Sequence, residues 1–102
     1  MTSIAVAKTS EIAVGQFKAV AVQGKRLLVC HTAEGFYAVD DTCTHDDGPL
    51  GDGWLDGSEL ECPRHGARFD VKTGKVLSLP AVLSIHSYPV KIDGDTVSVS
   101  LE

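Results

Sequence analysis

The chain of 102 residues has no apolar run approaching the roughly 18 to 20 residues needed to span a bilayer. Its first eight residues lack a basic stretch ahead of a long apolar run, so no secretory signal is expected and the cytoplasm is the expected location. Basic residues are outnumbered by acidic ones, 9 to 14, which leaves a net charge of -5. That balance gives no reason to expect nucleic acid or an anionic membrane as a partner, and it favours proteins with a basic docking face. Cysteine is scarce and odd in number: Cys30, Cys43 and Cys62. With no signal peptide, an odd count argues against a disulfide framework. Also missing are a phosphate-cradling Gly-rich loop, a dinucleotide fingerprint and a nucleophile–base constellation. What remains is the ordinary balance of a globular protein, 43% hydrophobic and 23% charged. The length suits one domain, residues 1–102, with a modest core.

Helical periodicity is weak along the whole chain. Short β-branched runs followed by turn signals recur instead, which predicts an all-β fold. The runs fall at residues 4–7, 16–22, 26–32, 36–40, 59–61, 67–70, 84–91 and 96–101. Gln23-Gly24, Glu34-Gly35 and Asp93-Gly94 suit tight hairpins, because glycine reaches positive φ without steric cost. Thr73-Gly74 ends another turn. Residues 42–83 differ in composition, holding six of the ten glycines and three of the four prolines. They read as a loop-rich subdomain inserted into a β base formed by the two ends of the chain.

That subdomain contains Cys43-Thr44-His45 and, after sixteen intervening residues, Cys62-Pro63-Arg64-His65-Gly66. Each short segment offers one thiolate and one imidazole. Such a split suits two inequivalent irons, one held by Cys43 and Cys62 and the other by His45 and His65, the ligand set of a Rieske [2Fe-2S] centre. Charge gives the physical reason for the mixture. Two ferric ions and two sulfides leave a positive core that two thiolates neutralise, and neutral imidazoles add nothing, so an added electron meets little repulsion. Four thiolates would oppose it, and the potential rises from about -400 mV for four-Cys ferredoxins to about -150 to +300 mV. The competing reading, tetrahedral zinc, prefers paired C-x₂₋₄-C and H-x₃₋₅-H spacings that are absent here. Gly48 and Gly66 would let backbone amides approach the sulfurs, and Pro63 would stiffen the second loop. Leu50 and Leu79-Pro80-Ala81 would cover the cluster against water. Cys30 reads as a small buried hydrophobe, His31 and His86 as strand side chains, and Trp54 as core.

With Ala67-Arg68-Phe69-Asp70, Thr73-Gly74, Pro80, Tyr88-Pro89-Val90 and Asp93-Gly94 added to the ligand motif, most of the chain resembles a Rieske-type ferredoxin. The resemblance implies small stacked antiparallel sheets with one [2Fe-2S] cluster at the tip of two loops. It also implies that the ligating His45 and His65 lie near the surface, where the electron leaves. Respiratory members of the family add two cysteines that staple the loops, and a Ser and a Tyr whose hydroxyls bond to the sulfurs. The matching positions here are Gly48 and Arg64, then Ala67 and Phe69, so neither device is available. Each missing donor disfavours the reduced state, which implies a potential near the bottom of the Rieske range.

The resemblance further implies a monomeric carrier within a ring-hydroxylating dioxygenase system. It would take single electrons from an NAD(P)H-dependent flavoprotein reductase and pass them to a terminal non-haem iron oxygenase. The alternative is an electron-transfer subunit of, or donor to, another redox system such as a reductase complex; a third class is a non-redox sensor module. An enzyme is not expected, since the chain is too short for a second iron site with a substrate pocket. Asp46, Asp47, Asp52, Asp56, Glu59 and Glu61 gather near the motif, either as a solvated surface or as a collar that steers a basic partner. Arg64 and Arg68 flank the second loop and would contact that collar or the partner.

Overall fold

A computed structural model describes residues 2–41, 50–62, 66–77 and 84–101. Among them, ten strands form three antiparallel sheets. The first joins the two ends of the chain, with β1 (Thr2–Lys8) beside β10 (Thr96–Leu101) and β10 beside β9 (Val90–Asp93). The second runs β2 (Phe17–Val22), β3 (Lys25–Thr32), β4 (Gly35–Asp40) and β8 (Ser87–Tyr88). The third is small: β5 (Trp54–Asp56), β6 (Glu59–Glu61) and β7 (Arg68–Asp70).

The second sheet is the middle layer, and β3 shows why. Its Leu27, Leu28, Val29 and Cys30 are all fully buried, a continuous apolar run that needs cover on both faces. Strand alternation divides them. Leu28 and Cys30 join Leu60, Cys62 and Phe69 in one core, whereas Leu27 packs with Val99 and Val29 with Val97 in two others. The middle sheet therefore carries the chain-end sheet on one side and the small sheet on the other.

Turn chemistry fixes the registers. Gln23 and Gly24 both take positive φ, the type I′ hairpin geometry that matches strand twist. Between β3 and β4 the loop is Ala33-Glu34, closed as Glu34 N–H donates to Thr32 Oγ1 and that hydroxyl donates to the Gly35 carbonyl. The strand expected over 84–91 is instead two. Ser87 and Tyr88 pair with β4, then Pro89, which has no N–H for a ladder, marks the switch to the chain-end sheet. The Pro89 carbonyl still accepts from Ser100 N–H. β5 was not legible beforehand: three residues between Gly53 and Gly57 show no periodicity.

Candidate metal centre

Cys62 lies immediately after β6 and is buried. The β6–β7 register pairs Glu59 with Asp70, Leu60 with Phe69 and Glu61 with Arg68. One further bond, Cys62 N–H to the Ala67 carbonyl at 2.8 Å, extends the ladder to the loop. Gly66, at φ +75°, donates its N–H back to the Cys62 carbonyl at 3.2 Å and closes the turn. So the Gly66 amide serves the loop that carries Cys62, and its left-handed φ is what the turn requires. Cys43, His45 and His65 lie outside the described residues, as do Gly48, Pro49, Pro63, Arg64 and Leu79-Pro80-Ala81.

Beneath this turn lies an apolar cluster. Leu50, Leu60, Cys62, Ala67 and Phe69 are buried together with Leu28, Cys30 and Val39 of the middle sheet. Leu50 thus belongs to the core under the site. Ala67 and Phe69 are both fully buried, so the two positions without hydroxyls lie in the same apolar cluster as Cys62. Cys30 behaves as the sequence suggested, and burial pushes its thiol pKa up to about 12. A thiol that resists ionisation at neutral pH is a poor metal ligand. Of the proposed donors only Cys62 falls among the described residues, a free thiol at the head of a hydrogen-bonded turn over buried apolar side chains, and its chemistry fits the [2Fe-2S] group of a Rieske centre.

The opposite face of the small sheet is polar. Leu55, Leu60 and Phe69 point inward, so Trp54, Glu61 and Arg68 form one outward cross-strand row and Asp56, Glu59 and Asp70 the next. Arg68 gathers the acids. Its Nη1 donates to Asp56 Oδ2 at 3.1 Å and Glu59 Oε1 at 3.2 Å, and Nη2 lies 2.6 Å from Glu61 Oε1. These bonds, that to Asp56 first, hold the guanidinium pKa above its usual value. The contact expected between Arg68 and the acidic collar is present. Asp46 and Asp47 lie outside the described residues.

Trp54 corrects the sequence reading. It was expected in the core and is 49% exposed, because the inward position on β5 is taken by Leu55. His31 is a strand side chain of β3; its Nδ1 donates to the Ile12 carbonyl at 2.7 Å and its ring stacks on Phe36. His86 precedes β8 and leans on Tyr88. The group sequence reasoning missed is Asp41. It is buried two positions before Cys43 and accepts the Gly51 N–H at 2.7 Å. Its only sequence signal was proximity to Cys43.

No helix among the described residues is long and apolar enough to cross a membrane. A family model for the Rieske [2Fe-2S] domain matches residues 2–89. The ferredoxin component of a naphthalene 1,2-dioxygenase system from Pseudomonas aeruginosa is 44% identical over 91 residues, 89% of this chain and 88% of that one. The ferredoxin of carbazole 1,9a-dioxygenase from Nocardioides aromaticivorans IC177 superposes with a TM-score of 0.94 at 34% identity, covering 100% of both chains. A ferredoxin structure from a complex of reduced oxygenase and oxidised ferredoxin in carbazole 1,9a-dioxygenase gives a TM-score of 0.90 at 34% identity, covering 98% of this chain and 97% of that one. This chain belongs to the Rieske [2Fe-2S] domain family, as a ferredoxin of the dioxygenase-component type that carries one cluster and one electron and is not itself an enzyme.

Proposed function

We propose that Cys43, His45, Cys62 and His65 hold the [2Fe-2S] cluster, within residues 42–83 of a single domain spanning 1–102. In this reading the protein works in the cytoplasm at a potential near the bottom of the Rieske range. It takes single electrons from an NAD(P)H-dependent flavoprotein reductase and delivers them to a terminal non-haem iron oxygenase. The observation that carries the reading is Cys62 itself, buried at the head of the β6–β7 turn above a core with no hydroxyl at Ala67 or Phe69. When bound, the cluster supplies a one-electron couple. The residues around it exclude water, orient the ligands and present a charged face to partners.

That face supports delivery to a basic partner. Three carboxylates share Arg68: Glu61 balances its charge in the row next to Cys62, and Asp56 and Glu59 give the following row a negative charge open to a second cation. Cross-strand from Glu61, the exposed Trp54 ring suits a partner arginine, which stacks on indole better than lysine does.

A redox titration of protein purified without oxygen, followed by EPR of the reduced form, tests the assignment. A Rieske-type spectrum with a potential close to -150 mV upholds it. A high positive potential would retain the cluster and sink the low-potential reading. Zinc in place of iron, with no EPR signal, would overturn the ligand assignment. Transfer to an oxygenase should also slow as salt rises, and a rate indifferent to salt would remove the electrostatic part.

A further inference from the structure

The segment proposed to carry the first ligand pair, residues 42–49, lies in sequence between Asp41, just after β4, and Leu50, which opens a 3-10 turn over Leu50–Asp52. Both ends of that span are anchored in unusual detail. The Asp41 N–H donates to the Arg26 carbonyl at 3.0 Å, which extends the β3–β4 ladder by one bond. The Asp41 side chain is only 2% exposed. Burying a carboxylate is costly unless its oxygens are satisfied, so its partners identify its role. Oδ1 accepts the Gly51 N–H at 2.7 Å, and Oδ2 lies 3.7 Å from Nη2 of Arg26, whose side chain is 72% exposed.

Gly51 is shaped for this contact. A Cβ there would stand 3.3 Å from Asp41 Oδ1, tighter than most real Cβ contacts, and 3.4 Å from Leu28 Cδ2. With a Cβ at this position the carboxylate would have to give by a few tenths of an ångström, which glycine avoids. Next to it Leu50 is fully buried in the core shared with Cys62. No disulfide does this work, since the two described thiols, Cys30 and Cys62, are free.

We propose that Asp41 is a positioning residue, a hydrogen-bonded staple that holds together the two ends of the loop carrying Cys43 and His45. The inference rests on the ligand assignment above. Fixing both ends restricts the loop before any ligand binds, which favours retention of the cluster over release. It acts on one loop rather than between two, and it is indifferent to a reducing compartment, where a disulfide would open.

The holoprotein tests it through cluster retention under a strong iron chelator, followed by visible absorbance. Asp41→Ala should lose its cluster about tenfold faster than wild type or more, with a broadened EPR spectrum, the scale seen when outer groups supporting metal ligands are removed. Asp41→Asn keeps an oxygen for the Gly51 N–H and should stay within about twofold. Gly51→Ala crowds the same carboxylate and should follow Asp41→Ala, which keeps the test open if Asp41→Ala cannot be loaded. Val22→Ala, in the core on the far side of the middle sheet, serves as the control for general destabilisation. The staple is overturned if Asp41→Ala loses cluster no faster than Val22→Ala compared at equal denaturation midpoint. It is equally overturned if Asp41→Asn is as damaging as Asp41→Ala. A wild type with no Rieske signal would instead sink the ligand assignment; a normal wild type with an unchanged Asp41→Ala sinks the staple alone.

Discussion

In the middle sheet β3 runs eight residues and pairs along its length with β2 and β4, whereas no strand of the small sheet beside Cys62 exceeds three. Isolated three-residue strands do not hold themselves together. The small sheet persists because Leu55, Leu60 and Phe69 lay one apolar face on Leu28, Cys30 and Val39. Its other face is free to carry charge. The larger sheets supply stability, and the small one converts borrowed stability into a platform for a redox site. Damage to the junction between the two should therefore cost most, and changes to the outer face should cost function with little stability.

Gly74 sits at that junction and gives the sharpest test. It follows β7 at φ +80°, and an added Cβ would stand 2.0 Å from the Ile85 carbonyl oxygen, which is backbone and cannot swing away. The same residue accepts the Ile85 N–H at 2.8 Å and donates to the Asp70 carbonyl at 2.7 Å. Gly74→Ala should destabilise by about 3 kcal/mol or more in urea unfolding, from left-handed strain plus displaced backbone. A loss below about 1 kcal/mol would show that the two regions are not locked there. Leu60→Ala follows at about 3 kcal/mol, from a cavity under the site. Because the small sheet depends on that face, visible absorbance should bleach at a lower temperature than far-UV circular dichroism collapses. Coincident transitions would mean the two regions melt as one.

Cys30 extends the comparison to pH. Its folded thiol pKa is raised from 9.0 to about 12 by burial, so the folded state keeps a proton that the unfolded chain releases. Stability from this group is fully present below pH 9 and falls as pH rises towards 12. Between pH 8 and pH 10.5 the loss should be about 2 kcal/mol, and Cys30→Ala should remove most of that slope. The Tyr88 hydroxyl, raised by burial and by its 2.6 Å bond to Asp40, adds a second loss only above about pH 10. An alkaline slope unchanged in Cys30→Ala would mean the thiol is not what the base protects.

Much of the base was legible because its strands are long enough to show alternation; β10 begins and ends where the sequence placed it. β5 was not, since three residues carry no period. Pro89 was visible, but that it sends the chain into another sheet depends on partners far away in sequence. Trp54 was misread because residue type favours burial while strand parity put Leu55 inside. The four proposed ligands were named from spacing. Asp41 was not named as a support, because its role depends on Gly51 ten residues away and on a ladder set by β3.

Smaller in energy are changes of potential. Ala67→Ser or Phe69→Tyr places a hydroxyl in the apolar floor shared with Cys62. A new donor near the sulfurs is worth about 1 kcal/mol, or some tens of millivolts for one electron, in favour of reduction. Redox titration should show the potential rising in at least one variant. If neither moves, hydroxyl donors do not set the potential at this site.

The smallest effect on stability is expected at Trp54, and there the two regions should separate most cleanly. The side chain is half exposed on an edge strand, so Trp54→Ala should shift unfolding by no more than about 0.5 kcal/mol. If the outer face receives a partner arginine, loss of the ring should raise the half-saturating concentration for the oxygenase of a naphthalene 1,2-dioxygenase system several-fold, the scale of about 1 kcal/mol from a cation–π contact. The potential should be unchanged, because Trp54 and Leu60 alternate onto opposite faces of the sheet and only the Leu60 face meets the core of Cys62. Salt distinguishes ring from charge. Asp56→Asn, which removes a carboxylate 66% exposed, should weaken transfer at low ionic strength and converge on wild type at high. The Trp54→Ala deficit should persist at both, since apolar and stacking contact is little screened. A deficit that vanished with salt would reassign Trp54 from anchor to bystander among the acids.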